Sequence, residues 1–276
     1  MSTGPQRPPR VCLVTTGHPS TNPRLVKEAD ALSAAGYAVR VVACKFLDWA
    51  DAADAAFAGR PWWPVTWVRF GARAPRGQRA WLRVRKRLAG ALVERVGPKP
   101  ALAERALHYV VPELVDAAAA VPADLYVAHN LAALPAAARA AARHGALLGF
   151  DAEDFHRGER PESEAATPEA RLTRWAEARY IPLCDYVTAA SDGIAEAYAE
   201  ALAIPRPTTL LNVFPLAARV AAVPAAERAA EKAPGTRTLY WFSQTIGPGR
   251  GLETALAALP HLPDDVHLAL RGAWAP

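Results

Sequence analysis

The sequence predicts an α/β protein: a doubly wound, Rossmann-like domain followed by the opening of an incomplete second one. Three observations carry this. Short, near-continuously apolar runs recur along the chain, as strands covered on both faces require. Segments with helical periodicity separate them. An alanine-, proline- and charge-rich stretch, residues 216–236, interrupts the alternation once and reads as an interdomain linker, partly helical.

The elements follow in order. Residues 11–16 (VCLVTT) form a buried strand, and residues 17–22 a loop. Asn22 caps a helix whose first position is Pro23, where a missing N–H costs nothing. Leu25, Ala29 and Leu32 share one face of that helix, and Gly36 ends it. Residues 38–44 (AVRVVAC) are the second strand, parallel to the first across a helical crossover. Strands follow at 65–70, 124–128 (DLYVA), 146–150, 184–189 and 208–213. Helices fall at 131–144, closed by Gly145, and at 168–180 and 192–202. Past the linker come a strand at 237–243, a glycine-rich turn, a helix to about residue 259 and a strand at 266–270. One βαβ unit cannot bury both faces of its own sheet. The expected organisation is therefore 1–215, linker 216–236, and 237–276 as the first part of a truncated domain.

Of the residues, 51% are hydrophobic and 21% charged, a globular composition rather than a disordered one. No apolar run approaches a membrane span, and the N-terminus lacks a signal-peptide core, so a cytoplasmic protein is expected. Cys12, Cys44 and Cys184 stand singly in apolar runs and read as buried free thiols.

Ligands of doubly wound sheets bind beyond the carboxyl ends of the strands. The polar residues there are His18, His129 with Asn130, the group 151–156 (DAEDFH) and Ser191. An imidazole at the tip of a central strand can bond a hydroxyl or act as acid or base near neutral pH; it can equally cap a helix or pack. DAEDFH crowds three acids and an imidazole, which fits a metal or, more simply, a solvated turn. The turn GPGRG at 247–251 is neither GxGxxG nor a P-loop. Even so, strand, glycines, arginine and helix start come in the order an anion site needs.

Taken in sequence order, PRLVKEADALSAAGYAVRVVA, DLYVAHN, FDAEDFH, AASDGIAEAY, LLNVFP and GPGRGLETALAAL resemble the pattern of family 4-type glycosyltransferases of the GT-B fold. The similarity runs from about residue 11 to the C-terminus. It implies two facing Rossmann-like domains, the first meeting the acceptor and the second a nucleotide-diphosphate sugar donor. It further implies retaining, metal-independent transfer with no cofactor. By the same resemblance His129 faces the reaction centre, while Gly249, Arg250 and Gly251 hold the donor diphosphate. His18, Arg24, Asn130, Glu153, Asp154 and Ser191 are the acceptor-side candidates. The sequence departs from the family pattern in lacking an arginine upstream of Arg250, where Gln244 and Thr245 stand, and the family's later acidic motif would lie beyond Pro276. Two other readings stay open: a non-catalytic binding or membrane-docking module on this fold, and a sugar-nucleotide epimerase.

The net charge of +5 is local. Between Asp54 and Glu94 there are nine basic residues and no acid, so the rest of the chain carries −4. Four of the eight tryptophans lie there too: Trp62, Trp63, Trp67 and Trp81. From Arg79 on, Trp81, Val84, Leu88, Leu92 and Val96 fall near one helical face, with Arg83, Lys86 and Arg87 off it. Such a helix suits an anionic membrane surface, consistent with a lipid-linked acceptor and a peripheral place on the inner face of the cell membrane. Alternatively it packs on the domain through its apolar face and leaves its arginines in solvent. No nucleic-acid-binding motif is present.

Overall fold

The computed structural model describes residues 7–58, 62–160, 162–214, 216, 235–249 and 251–274. The chain divides into two compact units between Val213 and Phe214. Most of the expected linker, residues 217–234, lies outside the described residues.

The first unit runs β1 (Arg10–Thr15), α1 (Pro23–Ala34), β2 (Ala38–Lys45), α2 (Ala50–Ala58), β3 (Val65–Arg69), α3 (Arg76–Val96), α4 (Pro100–Leu107), α5 (Val111–Ala119), β4 (Leu125–His129), α6 (Leu134–His144), β5 (Leu147–Ala152), α7 (Pro168–Tyr180), β6 (Tyr186–Ala189), α8 (Asp192–Leu202) and β7 (Thr208–Thr209). Its seven strands pair in the order β3-β2-β1-β4-β5-β6-β7, every pair parallel. The chain therefore winds outward from β1 in one direction and, after β3, from β4 in the other. Right-handed crossovers then put α1 on one face and the later helices on the opposite one. The two cores follow suit. Leu25 and Ala29 of α1 pack with Val11, Leu13, Val39, Val41, Val127 and Trp63. Residues of α5, α6, α7 and α8 pack with Cys12, Val14, Val42, Tyr126 and Phe150 on the far side. Leu25 is fully buried, which contributes about 2 kcal/mol to holding α1 on the sheet.

The local reasons are those the sequence supplies. Asn22 accepts from the Leu25 amide at 3.0 Å to cap α1, with Pro23 in its first turn. Gly36 ends the helix region at φ 89°, where a side chain would strain the backbone. Cys12 and Cys44 are buried free thiols, while Cys184 is half-buried; burial pushes the Cys12 thiol up to about 12.

Three expectations change. The strand expected at 208–213 pairs only over Thr208–Thr209; Leu210, Leu211 and Val213 continue as an exposed segment. Trp63 is core, not part of an aromatic surface, and both it and Trp62 donate to Asp30. Of the two readings of α3, the one in which it packs through its Trp81–Val96 stripe does not hold: the helix packs through Leu82 and Ala89 and leaves the stripe outside.

The second unit holds β8 (Arg237–Ile246), α9 (Leu252–Ala258) and β9 (Val266–Trp274). The two strands are parallel, with a bulge between Phe242 and Thr245. Leu239, Tyr240, Phe242 and Trp274 remain exposed.

Candidate active site

Reversal of winding direction between β1 and β4 opens a crevice at their carboxyl ends, the place where doubly wound sheets bind ligands. Strand register builds a row of polar side chains there. Thr15 pairs with His129, His129 with Asp151, and Asp151 with Thr188. From α1, Arg24 and Glu28 reach this row because residues four apart share a helix face.

The resulting cluster is closely bonded. His129 is fully buried. Its Nε2 lies 2.7 Å from Glu28 Oε2; its Nδ1 lies 3.3 Å from Glu153 Oε1 and 3.5 Å from Asp151 Oδ2. Arg24 grips Asp151 with two donors, Nε to Oδ2 at 2.7 Å and Nη2 to Oδ1 at 2.5 Å. Its third nitrogen, Nη1, donates to the Leu210 carbonyl at 2.6 Å, tying in the segment after β7. The Thr188 hydroxyl donates to Asp151 Oδ1 at 2.6 Å, and Asn22 Nδ2 donates to Glu153 Oε1 at 2.5 Å.

These partners set the charges. Burial pulls the His129 imidazole down, but hydrogen bonds to Glu153 and Glu28 and the nearby carboxylates outweigh it and raise it to about 10. The ring is thus an imidazolium at neutral pH, not the neutral base the sequence allows. Burial alone would push the Asp151 carboxyl up; Arg24, His129 and Thr188 together hold it below the ordinary value. A cation fixed behind carboxylates can orient Glu28 and stabilise negative charge; it cannot accept a further proton.

Beside the cluster lies a cavity of about 430 Å³, lined by Arg24, Lys27, Glu28, Asp151, Thr188 and the 210–213 segment, among others. Glu28 meets it with its side chain 28% exposed, while His129 is at 0%. Near it, Lys27 Nζ donates to Asn212 Oδ1 at 2.7 Å and to the Val213 carbonyl at 2.8 Å. Tyr186 lies over Gly149, where an added Cβ would come within 2.5 Å of the ring.

Two groups bring metal-ligating atoms together among the described residues: His129 with Asp151 and Glu153, and His18 with Asp51 and Asp54. In the first group Arg24 donates to both oxygens of Asp151. His18 Nε2 accepts from the Phe46 and Leu47 amides at 3.0 Å each. The His18 proton therefore sits on Nδ1, facing Asp54 Oδ2 at 2.5 Å.

The residues singled out in the sequence fall into two sets. His129, Arg24 and Glu153 meet in the cluster. His18 is buried and fastens the loop after β2 instead. Asn130, at φ 75°, caps the turn into α6 by accepting from the Ala133 amide at 3.2 Å and binds Thr15 and Thr16. Ser191 caps α8 through the Ile194 amide at 3.2 Å. No side-chain hydrogen bond joins Asp154 to the cluster among the described residues, although its carbonyl accepts from Tyr198 at 3.3 Å. Within DAEDFH, His156 pairs with Glu159 at 2.6 Å. Sequence reasoning missed Glu28 and Thr188. The signal for Glu28 was its spacing of four from Arg24, and for Thr188 its place near the end of an apolar strand.

In the second unit, Gly249 and Gly251 take φ 78° and 75°, in the left-handed region that favours glycine. Gly251 precedes α9, and the Gly249 amide donates to Glu253 Oε1 at 2.8 Å. Arg250 lies outside the described residues.

This fold has counterparts among solved structures. HepE from Anabaena, in complex with UDP-glucose, is similar at a TM-score of 0.57 and 16% identity, over 95% of this chain and 60% of that one. Sucrose-phosphate synthase from Thermosynechococcus elongatus is similar at 0.62 and 16%, over 97% and 63%. A protein described as a UDP-N-acetylglucosamine 2-epimerase from Listeria monocytogenes is similar at 0.51 and 14%, over 98% and 64%. The likeness establishes a GT-B, Rossmann-like fold class. The chain spans about three fifths of the length of HepE. No protein-family model matches the sequence, and no curated protein matches it.

Proposed function

We propose that the chain is the acceptor-side domain, with the opening of the donor-side domain, of a glycosyltransferase using a nucleotide-diphosphate sugar. The domain reading is 1–215, 216–236 and 237–276, as the sequence suggests. The observation that carries the proposal is the His129–Glu28–Asp151–Arg24 cluster at the sheet's switch point, beside a cavity of about 430 Å³. Similarity to HepE, which was solved with UDP-glucose, supports the donor class.

An acceptor hydroxyl enters the cavity and donates to the Glu28 carboxylate, which His129 holds from behind. The acceptor oxygen forms a bond to the sugar C1 as the bond between C1 and the diphosphate oxygen breaks; the electron pair stays on that diphosphate oxygen and the acceptor proton passes to Glu28. Arg250 and the Gly249–Gly251 turn stabilise this charge, so no metal is required. The anomeric configuration is retained, and the acceptor is a lipid-linked or polysaccharide precursor. Glu253, which now takes the Gly249 amide, yields it to the diphosphate.

The test incubates the chain with UDP- and GDP-sugars, with and without sugar and lipid-linked acceptors, and measures nucleotide release and product. Acceptor-dependent release supports transfer. Because the chain holds only the opening of the donor-side domain, acceptor binding decides the reading: no release, with neither a sugar acceptor nor a nucleoside diphosphate bound by calorimetry, refutes it in favour of a non-catalytic module. Similarity to the Listeria epimerase favours a second reading; a changed sugar nucleotide formed without acceptor would establish it.

A further inference from the structure

Among the described residues, the helix α3 leaves most of its large apolar side chains facing away from the domain it packs on. It is held on the domain by Leu82 and Ala89, each 3% exposed. Arg85 adds two bonds to Glu113, at 2.7 and 2.6 Å, and one to the Tyr109 carbonyl at 2.7 Å. Lys86 sits 4.5 Å over the Tyr109 ring. Those two cations are thereby committed to the fold. One flank of the helix carries Trp81, Val84, Leu88, Leu92 and Val96, exposed at 58, 47, 59, 46 and 53%. Spaced by three or four residues, they form one stripe roughly 22 Å long.

We propose that this stripe docks the protein on an anionic lipid bilayer. Arg87 lies exposed three residues from Val84 and Arg95 three residues from Leu92, so both border the stripe, while Arg76 and Arg83 are exposed on the far flank of the helix. Among the described residues none of these four makes a salt bridge, and Glu94 is the only acid in the helix. An apolar stripe edged by unpaired cations, with a tryptophan in it, matches the boundary between acyl chains and anionic headgroups. A second copy docked by the same face would set these arginines against their own equivalents, since a two-fold contact brings identical patches together. Nucleic acid would satisfy the arginines but leave the stripe wet. The proposal stands apart from sugar transfer, because vesicle binding needs neither donor nor acceptor.

Flotation of the full chain with vesicles tests it. The chain rises with phosphatidylcholine vesicles containing about 30% phosphatidylglycerol and does not rise with phosphatidylcholine alone, and high salt weakens the binding. Changing Arg87→Ala and Arg95→Ala together lowers partitioning roughly 30-fold, about fivefold per cation. Changing Leu88→Ser and Leu92→Ser lowers it at least about tenfold with unaltered circular dichroism and melting, because both side chains are already exposed. The proposal is overturned by no flotation with anionic vesicles, by equal flotation with neutral ones, or by indifference to both double variants. A dimer that the leucine variant dissolves, without vesicle binding, also overturns it and assigns the face to self-association.

Discussion

Replacing His129 by Gln tests the electrostatics of the cluster directly. In the folded chain the ring keeps its second proton to about pH 10; the ordinary value is 6.5. Between those values the native state binds a proton that the unfolded chain has lost. Stability from this source is complete below pH 6.5 and disappears as pH rises toward 10, at about 1.4 kcal/mol per pH unit. The whole window amounts to about 5 kcal/mol, an upper bound because three carboxylates surround the ring and relax when it is neutral. Above pH 9 the buried thiols Cys12 and Cys44, both raised by burial, add a loss of their own. The comparison therefore belongs between pH 6.5 and 8.5, where His129 accounts for a fall of about 2 kcal/mol.

Urea unfolding of the native protein and His129→Gln at several pH values measures this. The native curve falls across the window, and the variant starts lower and stays flat. Parallel curves would refute the reasoning, as would nitrogen NMR shifts showing a neutral ring at pH 8.

Three further predictions follow from other groups. Burial holds His108 down at about 4, and the Val110 amide donates to its Nδ1 at 3.4 Å. Its stabilisation is therefore present above pH 6.5 and lost as pH falls toward 4, a loss that His108→Gln removes in acid unfolding curves. Arg24→Met strands Asp151, whose side chain is 4% exposed, and costs about 3–5 kcal/mol in urea unfolding. Adding Asp151→Asn recovers part of that; a single variant within about 1 kcal/mol of native would disprove the coupling. Arg250→Ala weakens UDP or GDP binding by roughly 10- to 100-fold in calorimetry without changing the melting point. Equal binding would remove Arg250 from the donor site.

How much of this was legible in the sequence depended on the range of the interaction. Local signals worked: Asn22 and Pro23 start α1, Gly145 ends α6, and apolar runs mark the strands. The β7 pairing failed because Leu210–Val213 reads apolar, yet Leu210 lends its carbonyl to Arg24 rather than extending a ladder. The orientation of α3 stayed open for a related reason. Periodicity shows that a helix has an apolar face but not which side meets the domain, and small Ala89 with Leu82 outcompeted the larger stripe. In the site, His129 and Glu153 were visible as polar residues after strands. The partner of His129, Glu28, lies 101 residues before it, so only the fold brings the two together.

That partnership also decides which of the two meets substrate. His129 is at 0% exposure and both ring nitrogens face carboxylates, whereas Glu28 borders the cavity. An incoming hydroxyl would reach Glu28 first, making His129 a positioning residue in the proposed reaction. Glu28→Gln keeps an oxygen for His129 Nε2–H but surrenders the negative charge that draws a hydroxyl proton. Its expected signature is a KM for acceptor raised roughly 10- to 150-fold, because a hydrogen bond to a charged group is worth about 1.5–3 kcal/mol. His129→Gln should instead lower kcat and leave that KM within about twofold, since it loosens Glu28 without touching the acceptor. If the two variants shift KM and kcat alike, the hydroxyl does not meet Glu28, and the order of the two residues along the path must be reversed.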